Sequence, residues 1–271
     1  MLEGKGIVVR RGGRVTLDQV DVRVRPGAVT AVVGPNGAGK STLIAALTGL
    51  IRTEAGAVAL DGAPLASVGR RSVARRVAVL QQQFRVTFPF RAHEVVAMGR
   101  EPHLGREPPQ ATAERVQAAM AAADVLHLAD RPVDRLSGGE RQRVFLARAL
   151  AQILPLPADA PRYLLLDEPT ASLDLRHQAT TLGFARTVAR RGAGVLAVLH
   201  DLNLAARFAD DVLLLDGGAV QAVGAPADVF TEATLRPVYG RDLAIFWDRD
   251  GDCPVVLPRD PGPDATIRLD A

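Results

Sequence analysis

Four stretches, residues 28–33, 77–80, 163–166 and 195–199, are hydrophobic at nearly every position. Unbroken apolar runs of this length suit strands buried on both faces, so they predict the interior of an α/β core. Elsewhere the period changes. Residues 6–10 and 15–24 alternate around Gly12-Gly13, which predicts two strands and a turn, and Pro26-Gly27 then leads into the first buried run. Residues 56–62 read as a short strand and turn, and 212–215 with 219–223 as a hairpin about Gly217-Gly218. Helical spacing covers residues 42–47, 92–98, 112–123 and 173–190, with Pro102, Pro108 and Pro109 breaking the chain before the third. Another helix opens at 136–142 and runs to Gln152, and Asp201 caps a short one reaching Ala209. These elements predict a core of residues 1–87 and 160–247 with a helical subdomain, about 88–159, inserted into it. Residues 155–161 are a proline-rich connector, and the Pro, Gly and Asp content of 248–271 predicts a partly disordered tail.

Composition narrows the class. Of 271 residues 48% are hydrophobic but only 4% aromatic, so the core is aliphatic. There is no apolar run of the ~20 residues that a membrane span needs and no signal sequence, so a cytoplasmic protein is expected. The single cysteine, Cys253, excludes an intrachain disulfide framework and a thiolate zinc cluster. A net charge of +3 is spread along the chain without a basic block or interleaved aromatics, which suits an anionic membrane face or acidic partner and argues against nucleic acid.

The chemistry begins where the run at 28–33 meets Gly34-Pro35-Asn36-Gly37-Ala38-Gly39-Lys40-Ser41 and then Thr42. Glycines let successive backbone N–H groups converge on one anion, Lys40 can reach the β- and γ-phosphates, and the Ser41 hydroxyl can ligate Mg²⁺. Lys40 is one of only two lysines among 33 basic residues. The strand at 163–166 ends in Asp167 and Glu168, which puts two carboxylates at the edge where open α/β sheets bind ligands. Asp167 would hold Mg²⁺ through its water shell, and Glu168 would polarise the attacking water. His200 ends the next buried strand and would reach the γ-phosphate from the same edge. His93, His103, His127 and His177 have no metal-ligand spacing and read as surface or packing residues. Ser137-Gly138-Gly139 opens a helix, either as an anion site or as an ordinary glycine-rich start. As a second γ-phosphate site it would complete the site of another copy, which hints at a head-to-tail dimer sharing two ATPs.

Taken in order, Gly34 to Ser41, Gln82, Leu136 to Gln142, Leu164 to Glu168, Ser172-Leu173-Asp174 and His200 resemble the Walker A, Q-loop, signature, Walker B, D-loop and switch histidine of ABC transporter ATPases. The resemblance spans roughly the first 230 residues. It implies a P-loop NTPase (RecA-like) core with an antiparallel β subdomain and an inserted α-helical signature subdomain, together forming an ATPase domain over 1–247. It also implies ATP and Mg²⁺ as ligands, with Ser41, Gln82 and Asp167 at the metal and Gln82 also sensing the attacking water. Ser137, Gly138, Gly139 and Glu140 would face the partner's ATP, and Asp174 would couple the two sites. The implied partners are a second copy, two transmembrane permease subunits and, indirectly, a periplasmic substrate-binding protein. The implied location is peripheral, on the cytoplasmic face of the inner membrane.

Where the family places an adenine-stacking aromatic, this chain has Arg10-Arg11-Gly12-Gly13. Arg11 or Arg10 would stack on the base instead, which predicts tolerance of GTP. Phe84, Phe88 and Phe90 fit either a groove for a permease helix or packing between subdomains. Finer features are similar to the haemin-import ATP-binding subunits: Phe88-Pro89-Phe90, Met98-Gly99-Arg100 with Pro102-His103, the connector to Pro161, and Asp174 to Gln178. Cobalamin and ferric-siderophore importers share several of them. A soluble ABC ATPase acting on nucleic acid or ribosomes is the alternative from another class, with an exporter as a further rival.

Overall fold

The computed structural model describes residues 1–81, 89–156, 158–171, 173–240, 243–249 and 253–259. Its amino-terminal strands β1 (Leu2–Arg11) and β2 (Arg14–Val24) pair antiparallel and end at the Gly12-Gly13 turn. With β4 (Ala55–Leu60) and β5 (Ala63–Pro64) they form a sheet in the order β2-β1-β4-β5. A second, six-stranded sheet contains β3 (Val29–Val33), β6 (Val77–Leu80), β7 (Tyr163–Asp167), β8 (Gly194–Val198) and the hairpin β9 (Asp211–Asp216) with β10 (Ala219–Gly224). Its order is β10-β9-β3-β8-β7-β6, parallel throughout except for β10.

Alternation along those strands divides their side chains between two cores. Val32, Leu165, Leu196 and Leu213 face β1, β2 and helix α1 (Lys40–Leu47). Ala31, Leu164, Val195 and Val212 face the helical side, so each strand is apolar on both faces, as its unbroken composition demands. Between β5 and β6 lies a short helix, α2 (Arg70–Ala74). Helices α3 (Ala92–Met98), α4 (Pro109–Ala122) and α5 (Gly138–Ile153) follow β6. They share one apolar core with the strands: Val95, Met120 and Val144 belong to the same buried cluster as Ala31 and Leu80. Helix α4 starts three residues before the expected Thr112, because a proline in the first turn needs no N–H and its fixed φ suits a helix start.

After β7 come α6 (Leu175–Arg190), α7 (Leu202–Phe208, between β8 and β9), α8 (Pro226–Val229) and α9 (Glu232–Tyr239). The chain then forms a hairpin, β11 (Leu243–Trp247) with β12 (Pro254–Pro258). Within the stretch from 248 that was expected to be partly disordered, residues 254–258 thus form a strand, and 260–271 lie outside the described residues. Pro254 and Val256 are buried, and Leu243, Ile245 and Cys253 pack on the main core. The hairpin holds by these long-range contacts, which local composition does not report.

Candidate active site

The phosphate loop occupies the turn from β3 into α1, and two of its glycines, Gly34 and Gly39, are fixed by neighbours as well as by dihedrals. A Cβ on Gly34 would lie 1.9 Å from the Leu215 carbonyl oxygen, and one on Gly39, at φ 103°, would lie 2.4 Å from that of Thr16. The loop is thus wedged between the β9–β10 turn and β2, and Gly218 N–H donates to the Ala38 carbonyl at 3.2 Å. Lys40 is buried at the head of α1, and its ammonium donates to the carbonyls of Gly34 and Pro35, both at 2.8 Å. Burial lowers its pKa, partly offset by the carboxylates of Glu168 and Asp167.

Beside it, Ser41 Oγ donates to Asp167 Oδ1 at 3.0 Å, and the space around this pair is a cleft of about 250 Å³ reaching Gln81, Val79 and Leu50. Burial raises the pKa of Asp167, opposed by the Ser41 hydrogen bond, so a partly desolvated carboxylate stands beside an exposed hydroxyl, an oxygen pair that a divalent cation would stabilise. Glu168, the next residue, has φ 52°, a left-handed conformation that a non-glycine residue adopts only when its surroundings impose it. Gln142 of α5 contributes by donating its side-chain amide to the Pro169 carbonyl. Glu168 Oε1 meets His200 Nε2 at 2.7 Å; Glu168 is mostly covered and His200 is 45% exposed.

The structure therefore gathers Lys40, Ser41, Asp167, Glu168 and His200 at the carboxyl ends of three neighbouring strands. Gly37 and Asn36 lie exposed on the loop, and Thr42 is buried in α1. The signature residues stand elsewhere. Ser137, Gly139, Glu140, Arg143, Asp174 and His177 line a separate cleft of about 400 Å³, with Leu173. Here Ser137 and Glu140 form a capping box: Glu140 N–H donates to Ser137 Oγ at 3.3 Å, and Ser137 N–H to Glu140 Oε2 at 2.8 Å. Those hydrogen bonds hold the Glu140 carboxyl below its ordinary pKa. Asp174 caps α6, accepting from His177 N–H at 2.9 Å and lying 2.8 Å from His177 Nδ1. His177 is thus a cleft residue with a carboxylate partner, which the spacing of histidines in the sequence did not reveal.

At the β1–β2 tip Arg10 pairs with Glu54 at 3.0 Å, whereas Arg11 is exposed beside the turn. Gln82, Phe84, Phe88 and Ser172 lie outside the described residues. Phe90 is 37% exposed. Cys253 is partly buried, and burial with the nearby Asp248 raises its pKa, which keeps the thiol protonated. Among the described residues no cluster of His, Cys, Asp and Glu could hold a metal ion by itself.

Comparison with known proteins agrees with this geometry. The family model for the ABC transporter matches residues 17–171. The chain is 50% identical over 258 residues, 95% of its length and 94% of the relative's, to the hemin import ATP-binding protein HmuV of Gloeobacter violaceus. It is 47% identical to the protein of that name from Pseudomonas entomophila, over 96% of this chain and all of that one. Among solved structures, the ATP-binding cassette MJ0796 in a dimeric post-hydrolysis state bound to ADP and Pi superposes with a TM-score of 0.71 at 25% identity, covering 83% of this chain and 99% of that one.

Proposed function

Because the chain belongs to the ABC transporter family, we propose that it is the ATP-hydrolysing subunit of an importer that carries haemin, working as a homodimer bound to two permease subunits. The observation that carries this reading is the meeting of Lys40, the Ser41–Asp167 pair and the Glu168–His200 pair at one sheet edge. Phosphate oxygens would replace the Gly34 and Pro35 carbonyls as partners of the Lys40 ammonium, and the loop N–H groups would complete the cradle. The hard oxygens of Ser41 and Asp167 fit Mg²⁺, with Gln82 as a further donor; when bound, the ion neutralises charge on the phosphates. Water attacks the γ-phosphorus in line. Its oxygen forms the new bond as the bond to the bridging oxygen breaks, and its proton passes to Glu168. His200 orients that carboxylate and donates to the γ-phosphate.

Ser137 and Gly139 face the γ-phosphate held by the second copy, and Asp174 couples the two sites. Leu175, 82% exposed next to Asp174, is an apolar side chain that such a partner would cover. ATP binding closes the dimer and switches the permease, and hydrolysis resets it. Among the described residues no helix is long and apolar enough to cross a membrane. We place the subunit on the cytoplasmic face of the inner membrane, with Phe90 and the neighbouring segment at the permease contact and a periplasmic binding protein delivering the cargo. The names of the two HmuV relatives support haemin as that cargo.

The test is ATP turnover by this subunit assembled with its co-purifying permease in lipid, comparing haemin-loaded with cobalamin-loaded binding protein. Stimulation by the haemin-loaded protein alone is expected. Stimulation by cobalamin or a ferric siderophore instead would keep the ATPase and discard the cargo, and turnover that responds only to nucleic acid would discard the importer.

A further inference from the structure

His200 is held unevenly. On its upstream side the chain is locked in the sheet, where Leu199 N–H donates to the Val32 carbonyl at 3.0 Å. Its own side chain is nearly half exposed, and its contact with Glu168 at 2.7 Å reaches only the Nε2 tip of the ring. On the downstream side its position depends on α7, which has only seven residues, too few to be stable without tertiary support. Asp201 caps that helix, accepting from Asn203 N–H at 2.7 Å and Leu204 N–H at 3.1 Å.

Ala205, Leu204 and Phe208 seat the helix on the main core, and a polar tie on its first turn comes from the far end of the chain. Asn203 Nδ2 donates to the Val256 carbonyl at 3.0 Å, and Val256 N–H donates to Asn203 Oδ1 at 2.8 Å. A planar amide thereby reads both polar groups of one strand residue, which fixes the first turn of α7 in translation and in rotation. Asparagine is a poor helix former away from the cap, so nothing local favours it at this position. Its anchor is firm, since Val256 is 6% exposed and belongs to the main core.

We infer that Asn203 is a positioning residue for His200, transmitting the C-terminal hairpin's fixed place to the histidine through α7. This rests on the role given to His200 above. In the full-length chain, Asn203→Ala should lower kcat for ATP about tenfold while leaving KM for ATP within about twofold. In a His200→Ala background the same substitution should cost nothing further, because Asn203 acts through the histidine. Asn203→Asp, which keeps the acceptor for Val256 N–H and loses the donor, should fall between. It also carries the test if the alanine variant does not fold.

Native kcat in both Asn203 variants would overturn the inference, as would an equal fractional loss with and without His200, the mark of a merely structural effect. A His200→Ala protein that hydrolyses ATP at the native rate would instead remove the premise about the histidine.

Discussion

At the scale of single residues, the site is a set of groups held in conditions they would not choose alone. Lys40 is buried, Asp167 is desolvated and Glu168 sits at positive φ. Such arrangements persist where the surroundings over-determine them; phosphate oxygens would satisfy Lys40, and a divalent cation would satisfy Asp167. Glu168→Gln keeps the shape and removes the base, so it should lower kcat by about a hundredfold or more while ATP still binds and the dimer stays closed. Steady-state turnover, equilibrium nucleotide binding and the oligomeric state in ATP measure the three. The base is a separate question. Arg10 pairs with Glu54 and Arg11 is exposed, so stacking on a purine is expected of Arg11 first. Turnover of ATP and GTP should be similar, and any preference for ATP should disappear in Arg11→Ala; a strong preference that survives the substitution would exclude stacking.

At the scale of elements, the sequence was most legible where a local pattern and a local reason coincide. The buried strands, the phosphate loop, the Asp201 cap and the helix from the signature were all readable because run length, glycine placement and capping residues act within a few positions. The features that pointed to haemin importers were readable only as likeness, and the structure gives three of them, Gly99, Arg100 and His103, work in the scaffold. Arg100, 1% exposed, donates to the Leu154 carbonyl at 2.9 Å and to that of Ala151 at 2.5 Å and pairs with Glu107, and His103 Nε2 lies 2.8 Å from the Gln152 carbonyl. Together they take up the carbonyls of Ala151 and Gln152, which the last turn of α5 leaves without a helical partner, and that of Leu154 just beyond it. A Cβ on Gly99 would meet the Arg148 carbonyl oxygen at 2.3 Å, so Gly99→Ala should destabilise the protein by about 1–3 kcal/mol, read from denaturant midpoints. Burial lowers the His103 pKa, so the unfolded chain takes up a proton near the ordinary value of about 6.5 before the folded chain does. This contribution to stability is complete above that pH and is lost as pH falls through it. His103→Gln, which keeps the donor, should show a smaller loss between about pH 7 and 5.5. The hairpin of β11 and β12 stayed hidden because its reasons, Asn203 and the core beneath it, lie far away in sequence.

At the scale of the whole molecule, the strand order explains why the chemistry converges. Strands β3, β8 and β7 are neighbours in the sheet, so the phosphate loop, His200 and the two carboxylates emerge side by side. The signature cleft takes its lining from the start of α5 and the approach to α6, and no phosphate-loop residue lines it. Under the dimer reading one chain therefore carries two unlike half-sites, and turnover by the isolated subunit should rise more steeply than linearly with its concentration until pairing is complete. Dilution series of the purified subunit would show this, and strictly proportional turnover down to nanomolar concentrations would argue for a self-sufficient chain. The separate signature cleft also bears on inheritance. Under the dimer reading, a copy altered at Ser137 that still pairs would spoil the nucleotide held by its intact companion, so such an allele should be dominant over the normal one.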